Sequence, residues 1–357
     1  MIESFLFPAE RHLSSELTEP LSYSYLLDGL KSGVTTFVDH YYFSHGVAKA
    51  LERFGVRGWI GETVADLGGA FPGINSLERA IKMIETGSFN SLIRHSIAPH
   101  AADTVSAPLL KKCADYAKAN NLPLHMHLSQ SEGESARVKA RDGVSPVVTA
   151  KNSGALWEHS LVAHLTSASD EDLKIIRDSG ATLAYCPSST ILYDRLANIK
   201  LASSMEIPFA LGTDCAASND SADCLTELKF AGLIGRHAGI AHERLSPDHL
   251  LAMSTLNPGR ALRAEKELGT LETGKLADFI ILRCSLSALP SQNLLANVIY
   301  SMGSRDVTHV VVNGSWRLWN QRLVGLSENS LKNDYLTALK EIHLRLGQKA
   351  PSTEEPT

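Results

Sequence analysis

Helical segments alternate with short apolar runs along the first 214 residues of the chain. Most of the helical segments end at Gly or Asn, and each apolar run that follows stops at a polar residue. Strands that alternate with helices in this way predict right-handed βαβ units and a parallel sheet. The predicted strands lie near residues 34–38, 56–61, 94–98, 122–126, 160–163, 181–185 and 208–213.

These seven strands predict an α/β fold, a (β/α)8 TIM-type barrel in which the first strand is missing, because a closed barrel of this type has eight. Residues 1–16 are typical of a loop and a helix start rather than a strand. We therefore expect a nearly closed barrel with a gap between strands 34–38 and 208–213.

The pattern changes after residue 219. Turn-rich residues 268–278 lead to short β runs at Phe279–Leu282 and Val307–Val312, and Asn313-Gly314 is a strong hairpin signal. We predict a barrel domain over residues 1–265, a small partial β-sandwich over 266–325, and a C-terminal helix and tail over 326–357.

Composition narrows the range of partners. The net charge of −5 and pI near 6.3 argue against nucleic acid or an anionic membrane surface. The N-terminus lacks the basic and long apolar regions of a signal peptide, and no apolar run approaches the roughly 18 residues of a membrane helix. The five cysteines are scattered without a CxxC pair, which favours reduced thiols and a cytoplasmic location.

Polar side chains follow four of the predicted strands: His100, His127, His164 and Asp214. Barrel geometry gathers strand ends at one mouth, where imidazole and carboxylate suit zinc or iron(II). A metal ion lowers the pKa of its water, and a nearby carboxylate collects the proton. Of the pair His125 and His127, we expect only His127 inside the barrel and His125 packed among helices.

Six motifs occur in a specific order and resemble the amidohydrolase superfamily, in its deaminase and chlorohydrolase branch. That branch includes hydrolases of adenosylhomocysteine, guanine, cytosine and triazines. The motifs are Phe37-Val-Asp-His40, Ala98-Pro-His100, His127-Leu-Ser-Gln130, Val162-Ala-His-Leu165, Leu211-Gly-Thr-Asp214 and Gly269-Thr-Leu-Glu-Thr-Gly-Lys-Leu-Ala-Asp278.

The resemblance implies a barrel with one metal ion, zinc or alternatively iron, a small heterocyclic substrate and a homodimer. It implies His127 and Asp214 as metal ligands, with Asp214 also the base. His164 polarises the attacking water or stabilises the oxyanion. Glu10 and His100 match positions that contact substrate.

The chain departs from the family pattern in three places. The His-x-His pair of the first barrel strand is absent, so we expect that an upstream segment is missing. Gln130 stands where relatives commonly carry a Glu that protonates the ring nitrogen; Glu132 or Glu134 could substitute, although solvated loop carboxylates are the simpler interpretation. Residues 73–76 lack an arginine that adenosine hydrolases carry, which disfavours adenosine.

Two functions follow from these features. The first is a metal-dependent hydrolase of C–N or C–halogen bonds in an N-heterocycle, which attacks a ring carbon and in which Gln130 favours good leaving groups. The alternative is a catalytically silent, truncated barrel, because His127 and Asp214 alone hold zinc poorly.

Overall fold

The computed structural model describes residue 4 and residues 6–71, 76–193 and 197–348. Its barrel strands follow the predicted segments closely. They are β1 (Thr36–Tyr41), β2 (Arg57–Val64), β3 (Ile93–His95), β4 (Ala98–Pro99), β5 (Leu124–Leu128), β6 (Ser160–His164), β7 (Thr182–Tyr185) and β8 (Phe209–Leu211). Because β3 and β4 both pair with β2, they act as one strand interrupted at Ser96 and Ile97.

All barrel strands run parallel, in the orders β1-β2-β3/β4 and β5-β6-β7-β8. Two isolated parallel bridges, Ile97 to Leu124 and Ala101 to His127, join the two halves. Within the described residues β1 pairs only with β2, and β8 only with β7. The outer edge of β8 is partly satisfied by a side chain, since Asn257 Nδ2 donates to the Phe209 carbonyl over 2.8 Å.

Helices connect the strands and cover their outer face. They are α1 (Phe7–Glu10), α2 (Ser15–Leu21), α3 (Tyr23–Lys31), α4 (Ser44–Phe54), α5 (Leu77–Thr86), α6 (Ala107–Ala119), α7 (Glu132–Asp142), α8 (Pro146–Asn152), α9 (Asp170–Ser179), α10 (Pro187–Tyr193), α11 (Ile199–Ser204), α12 (Ala216–Asn219), α13 (Cys224–His237), α14 (Pro247–Ser254), α15 (Leu256–Ala261), α16 (Leu294–Tyr300) and α17 (Glu328–Arg345).

The predicted helix signals act where the sequence places them. Ser106 caps α6, and Ser169 with Asp172 forms a reciprocal capping box on α9. Gly180 ends α9 at φ 74°, a left-handed conformation that costs glycine little. The predicted single helix over residues 17–32 is instead two helices, α2 and α3, which meet at Ser22.

The floor of the barrel, at the N-terminal ends of its strands, is apolar. Small side chains from β6, β7 and β8 (Ala163, Ala184 and Ala210) pack against Ala261 of α15 and Val38 of β1. A second group joins Trp59 of β2 to Leu262 and Ala264. Helix α15 and the residues after it therefore fill the floor with side chains, as a packed barrel core requires.

A four-stranded antiparallel sheet stands beside the floor. Its strands are β9 (Phe279–Leu282), β10 (Val307–Val312), β11 (Ser315–Trp319) and β12 (Arg322–Leu323), in the order β12-β11-β10-β9. Asn313 and Gly314 connect β10 to β11 with φ of 50° and 75°, so the predicted hairpin is confirmed.

One buried ion pair connects this sheet to the barrel. Arg57 at the start of β2 binds Asp278 through two hydrogen bonds of 2.9 Å, and their side chains are 2% and 4% exposed. No helix in the described residues is long and apolar enough to cross a membrane.

Candidate active site

The C-terminal ends of the strands form the mouth of the barrel, and histidines line it. The rings of His40 on β1, His100 after β4 and His127 on β5 lie 4.9–6.0 Å apart between centroids. His164 at the end of β6 stacks on His127 at 5.6 Å, with 16° between the ring planes. The structure thus brings the three histidines predicted from strand ends into one cluster.

His127 is held in a defined orientation. Its Nδ1 lies 2.8 Å from the carbonyl oxygen of His100. A carbonyl only accepts, so Nδ1 carries the proton and donates it. The neutral ring therefore keeps the lone pair of Nε2 free for a metal ion, the arrangement that metal-bound histidines commonly show.

Asp214 follows β8 and lies close enough to His164 and His127 to feel their charge. Ser189 Oγ donates to Asp214 Oδ2 over 2.5 Å, and the Cys215 amide donates to Oδ1 over 2.8 Å. Burial raises the pKa of Asp214, but His164 and these donors outweigh it, so the pKa lies below its usual range. The carboxylate is accordingly charged at neutral pH.

The buried histidines of the mouth are neutral. Burial lowers the pKa of His164 to about 4, with Asp214 opposing and His127 adding to the shift. Burial, with the charge of His127, also lowers the pKa of His100 to about 3. Neutral imidazoles beside one charged carboxylate suit a divalent ion of the zinc type.

Glu10 and His100 are neighbours, as their shared predicted role in substrate contact requires. Phe7 of α1 lies 6.0 Å from the His100 ring, and Glu10 in the same helix accepts a 2.9 Å hydrogen bond from the Tyr41 hydroxyl. The second oxygen of Glu10 is buried without a partner among the described residues. Burial raises the pKa of Glu10, and the Tyr41 bond partly offsets this.

The expectation that His125 points away from the mouth is wrong. Its ring lies 5.3 Å from that of His40, and its pKa, lowered by burial to about 3, also responds to His127, His164 and Asp214. The reason is the pleat of β5, in which side chains two residues apart share one face. His125 and His127 therefore both face the interior, while Leu124, Met126 and Leu128 are buried on the other face.

His40 is a residue of the mouth to which the sequence analysis gave no role. It ends β1 as the other histidines end their strands, so the same signal could have found it. Both of its ring nitrogens are buried and lack a hydrogen-bond partner in the described part of the chain. Burial and three neighbouring histidines lower its pKa well below the usual range.

Gln130 lies in the loop after β5, where its amide donates to Glu134 Oε2 over 2.7 Å. Glu134 Oε1 accepts from the Ser129 amide over 3.0 Å. The interpretation of Glu134 as a solvated loop carboxylate is wrong, because it is 3% exposed and starts helix α7, which the sequence analysis did not predict. Backbone donors already engage both of its oxygens.

Several mouth residues adopt left-handed backbone conformations that residues other than glycine seldom use. They are Ser129 at φ 50°, His164 at φ 79° and Asp214 at φ 59°. Such strain concentrates at functional sites. No three His, Cys, Asp or Glu side chains of the described residues are already arranged to hold a metal ion. The arginine-free stretch 73–76 lies outside the described residues except for Ser76.

Charge and burial together define what the mouth can do. A charged, buried carboxylate beside neutral imidazoles can accept a proton from water and return it to a leaving group. Glu10 and His100 lie where a substrate would enter.

The sequence matches the amidohydrolase family over residues 12–317. A 5-methylthioadenosine/S-adenosylhomocysteine deaminase of Moorella thermoacetica is 34% identical over 319 residues, 88% of this chain and 74% of the relative. A zinc-bound adenosine deaminase of Xanthomonas campestris is similar in structure, with TM-score 0.89, 23% identity and 96% and 79% of the two chains covered. Atrazine chlorohydrolase of Arthrobacter aurescens gives TM-score 0.83 at 20% identity, covering 94% and 80%.

These likenesses confirm the predicted resemblance and the hydrolase class, and they do not favour the silent barrel. The chain belongs to the amidohydrolase family.

Proposed function

We propose that this chain hydrolyses an exocyclic C–N bond of an N-heterocycle and releases ammonia. The single observation that carries the proposal is the pairing of His127, oriented by the His100 carbonyl, with the charged, buried Asp214 across the mouth. The adenosine-type substrates in the names of the relatives support an amino-substituted ring as the substrate class.

The donor set at the mouth fits a divalent ion in chemistry. His127 Nε2 and an Asp214 oxygen would hold it, and zinc is the ion named for two structural neighbours, with iron the alternative. When bound, such an ion supplies Lewis-acid activation of water. The buried and unpartnered nitrogens of His40 show that the mouth has donor capacity that the protein itself does not use.

The residues of the chain account for the proton transfers. Asp214 accepts a proton from the water whose oxygen bonds to the ring carbon, and it returns that proton to the departing nitrogen. Neutral His164 donates a hydrogen bond to the oxygen as charge develops on it. The ring C–N bond then breaks, which leaves a ring carbonyl and ammonia. Glu10 and His100 position the heterocycle.

A second candidate reaction is displacement of halide from the same type of ring. Gln130 favours it, because an amide donates a hydrogen bond to a ring nitrogen but cannot protonate it. A poor leaving group such as ammonia needs that protonation more than chloride does.

The test is a substrate panel with the zinc-loaded protein: 5-methylthioadenosine, S-adenosylhomocysteine, guanine, an amino-triazine and a chloro-triazine. We expect turnover on at least one amino-heterocycle and its loss in Asp214→Asn. Asp220→Asn is the matched control, since Asp220 is exposed and six residues away. Absence of turnover across the panel, or full activity of Asp214→Asn, would refute the proposal.

We also propose that an eighth strand closes the barrel between β1 and β8, and that the chain divides at residues 265 and 325 as predicted. The single strand partner of β1 and of β8 in the described residues supports the first point. An experimental structure with β1 hydrogen-bonded directly to β8 would contradict it. A homodimer, testable by light scattering, and a cytoplasmic location stay predictions.

A further inference from the structure

The most unusual group at the mouth is the His40 ring. A buried, neutral imidazole normally donates from one nitrogen and accepts at the other, and leaving such a group unsatisfied costs about 1–3 kcal/mol. Neither nitrogen of His40 has a partner among the described residues, and both are inaccessible to solvent. The position is therefore stabilised by something that the protein chain does not itself provide.

The surroundings of His40 indicate what that partner is. The ring faces three other imidazoles, those of His100, His125 and His127, and burial and these rings disfavour its protonation. An anion is a poor candidate, because it would need cationic partners at the same place. A divalent cation satisfies neutral imidazole lone pairs directly.

Distances between the rings fit a shared ion. Two imidazoles bound to one zinc, with bonds of about 2 Å and tetrahedral angles, have ring centroids about 5 Å apart. The His40 ring lies 4.9 Å from His127 and 5.3 Å from His125. His127 already offers Nε2, because its Nδ1 is bound to the His100 carbonyl.

Space around these rings allows them to turn. The interior positions of β6, β7 and β8 carry Ala163, Ala184 and Ala210, which are small. The side chains do not yet converge on one point, so rotation about their side-chain torsions is required.

We infer that His40 and His125 join His127 as ligands of the metal ion at the mouth, so that this chain holds zinc with three imidazoles beside Asp214. Three protein ligands are the usual number for a catalytic zinc, whereas His127 and Asp214 alone are two. The inference rests on the proposed function for the presence of a metal ion, and it assigns ligands to that ion.

The experiment measures zinc binding to the purified full chain without any substrate. Metal-free protein is titrated with zinc against a chromophoric chelator, and cobalt(II) is added in parallel to record its visible absorption, which reports ligand type and number. The variants are His40→Phe, His125→Phe and His127→Phe. His95→Phe is the matched control, because His95 also has a buried, unpartnered Nδ1 but lies on β3 against Phe89.

We expect His40→Phe and His125→Phe each to weaken zinc binding about 100-fold or more, since even the partners behind metal ligands contribute 10- to 100-fold. Both should change the cobalt spectrum, and His95→Phe should change neither. Zinc should raise the melting temperature of the wild type but not of His40→Phe. The metal-free melting temperature of His40→Phe should equal or exceed that of the wild type, because phenylalanine removes the unsatisfied nitrogens.

Each other result is decisive. Unchanged zinc affinity in His40→Phe, with loss in His127→Phe, overturns the role of His40 and leaves the proposed function standing. A lower metal-free melting temperature with unchanged zinc affinity makes His40 a structural residue and also overturns the inference. A wild-type protein that takes up neither zinc nor cobalt overturns this inference together with the metal part of the proposed function.

Discussion

The two ends of the barrel satisfy their polar groups in opposite ways. At the floor, the fully buried Arg57 meets Asp278 in a two-bond ion pair, and the residues around it are apolar. At the mouth, His40, His125 and Glu10 each keep a buried polar atom without a partner in the described chain. The floor has the features expected for stability, whereas unsatisfied groups and strained backbone at the mouth are typical of a binding site. Substitutions at the two ends should therefore separate stability from activity.

The largest expected effect is at the floor. Arg57→Met leaves Asp278 buried without its counter-charge and should lower the free energy of unfolding by about 3–5 kcal/mol, with kcat of the remaining folded protein unchanged. Urea denaturation measures the loss. Lys31→Met, which breaks the exposed pair with Glu328, is the control and should cost less than about 1 kcal/mol. A similar loss in both variants would contradict the distinction between buried and exposed pairs.

A pH effect of intermediate size is expected from Glu134, a buried carboxyl next to the mouth. Burial raises its pKa from 4.5 to about 7, with Asp103 adding to the shift and the Gln130 and Ser129 amides opposing it. The folded protein therefore holds this proton more tightly than the unfolded chain does. Its contribution to stability is full below about pH 4.5, is lost as the pH rises toward 7, and stays lost above it.

Glu134→Gln should remove this pH dependence. Relative to the variant, the wild type should lose about 2–3 kcal/mol of unfolding free energy between pH 5 and pH 8, measured by urea denaturation at each pH. Taking the difference between the two proteins cancels the histidines that both contain. Glu132→Gln, at an exposed position of the same helix turn, should run parallel to the wild type. Parallel curves for Glu134→Gln as well would show that Glu134 titrates normally.

At the mouth itself, Gln130→Glu should change chemistry and not stability. A carboxylic acid at this position can protonate the ring nitrogen, so the rate on amino-heterocycles should rise about tenfold relative to chloro-heterocycles. The ratio of kcat/KM values for an amino- and a chloro-triazine measures it. Gln348→Glu, at an exposed position near the C-terminus, is the control, and an unchanged ratio in Gln130→Glu would refute the role of Gln130.

The smallest effect should come from Thr104→Val. Thr104 Oγ1 lies 2.8 Å from His100 Nδ1, and losing one such hydrogen bond costs about 1 kcal/mol. If His100 positions the substrate, KM should rise about fivefold while kcat stays nearly constant. Thr86→Val, whose hydroxyl bonds only within its own helix, should leave KM unchanged. A fall in kcat with constant KM would instead assign His100 to the chemical step.

The sequence by itself determined the features that depend on near neighbours. Strand positions, the Ser106 and Ser169 caps and the Asn313-Gly314 hairpin follow from residues a few positions apart. The order of motifs was enough to identify the family. The side of β5 that His125 faces was also fixed locally, by the period of two along a strand, and the alternation rule was misapplied there.

Only the tertiary structure decided which distant groups meet. Arg57 and Asp278 are 221 residues apart in the chain, and no local pattern pairs them. Glu134 is buried because the loop after β5 folds its amides onto the carboxylate. The place of His40 among three other histidines depends on how β1, β4 and β5 come together in the barrel. Local preferences act over a few residues, whereas burial and electrostatic contact depend on distances that only the folded chain sets.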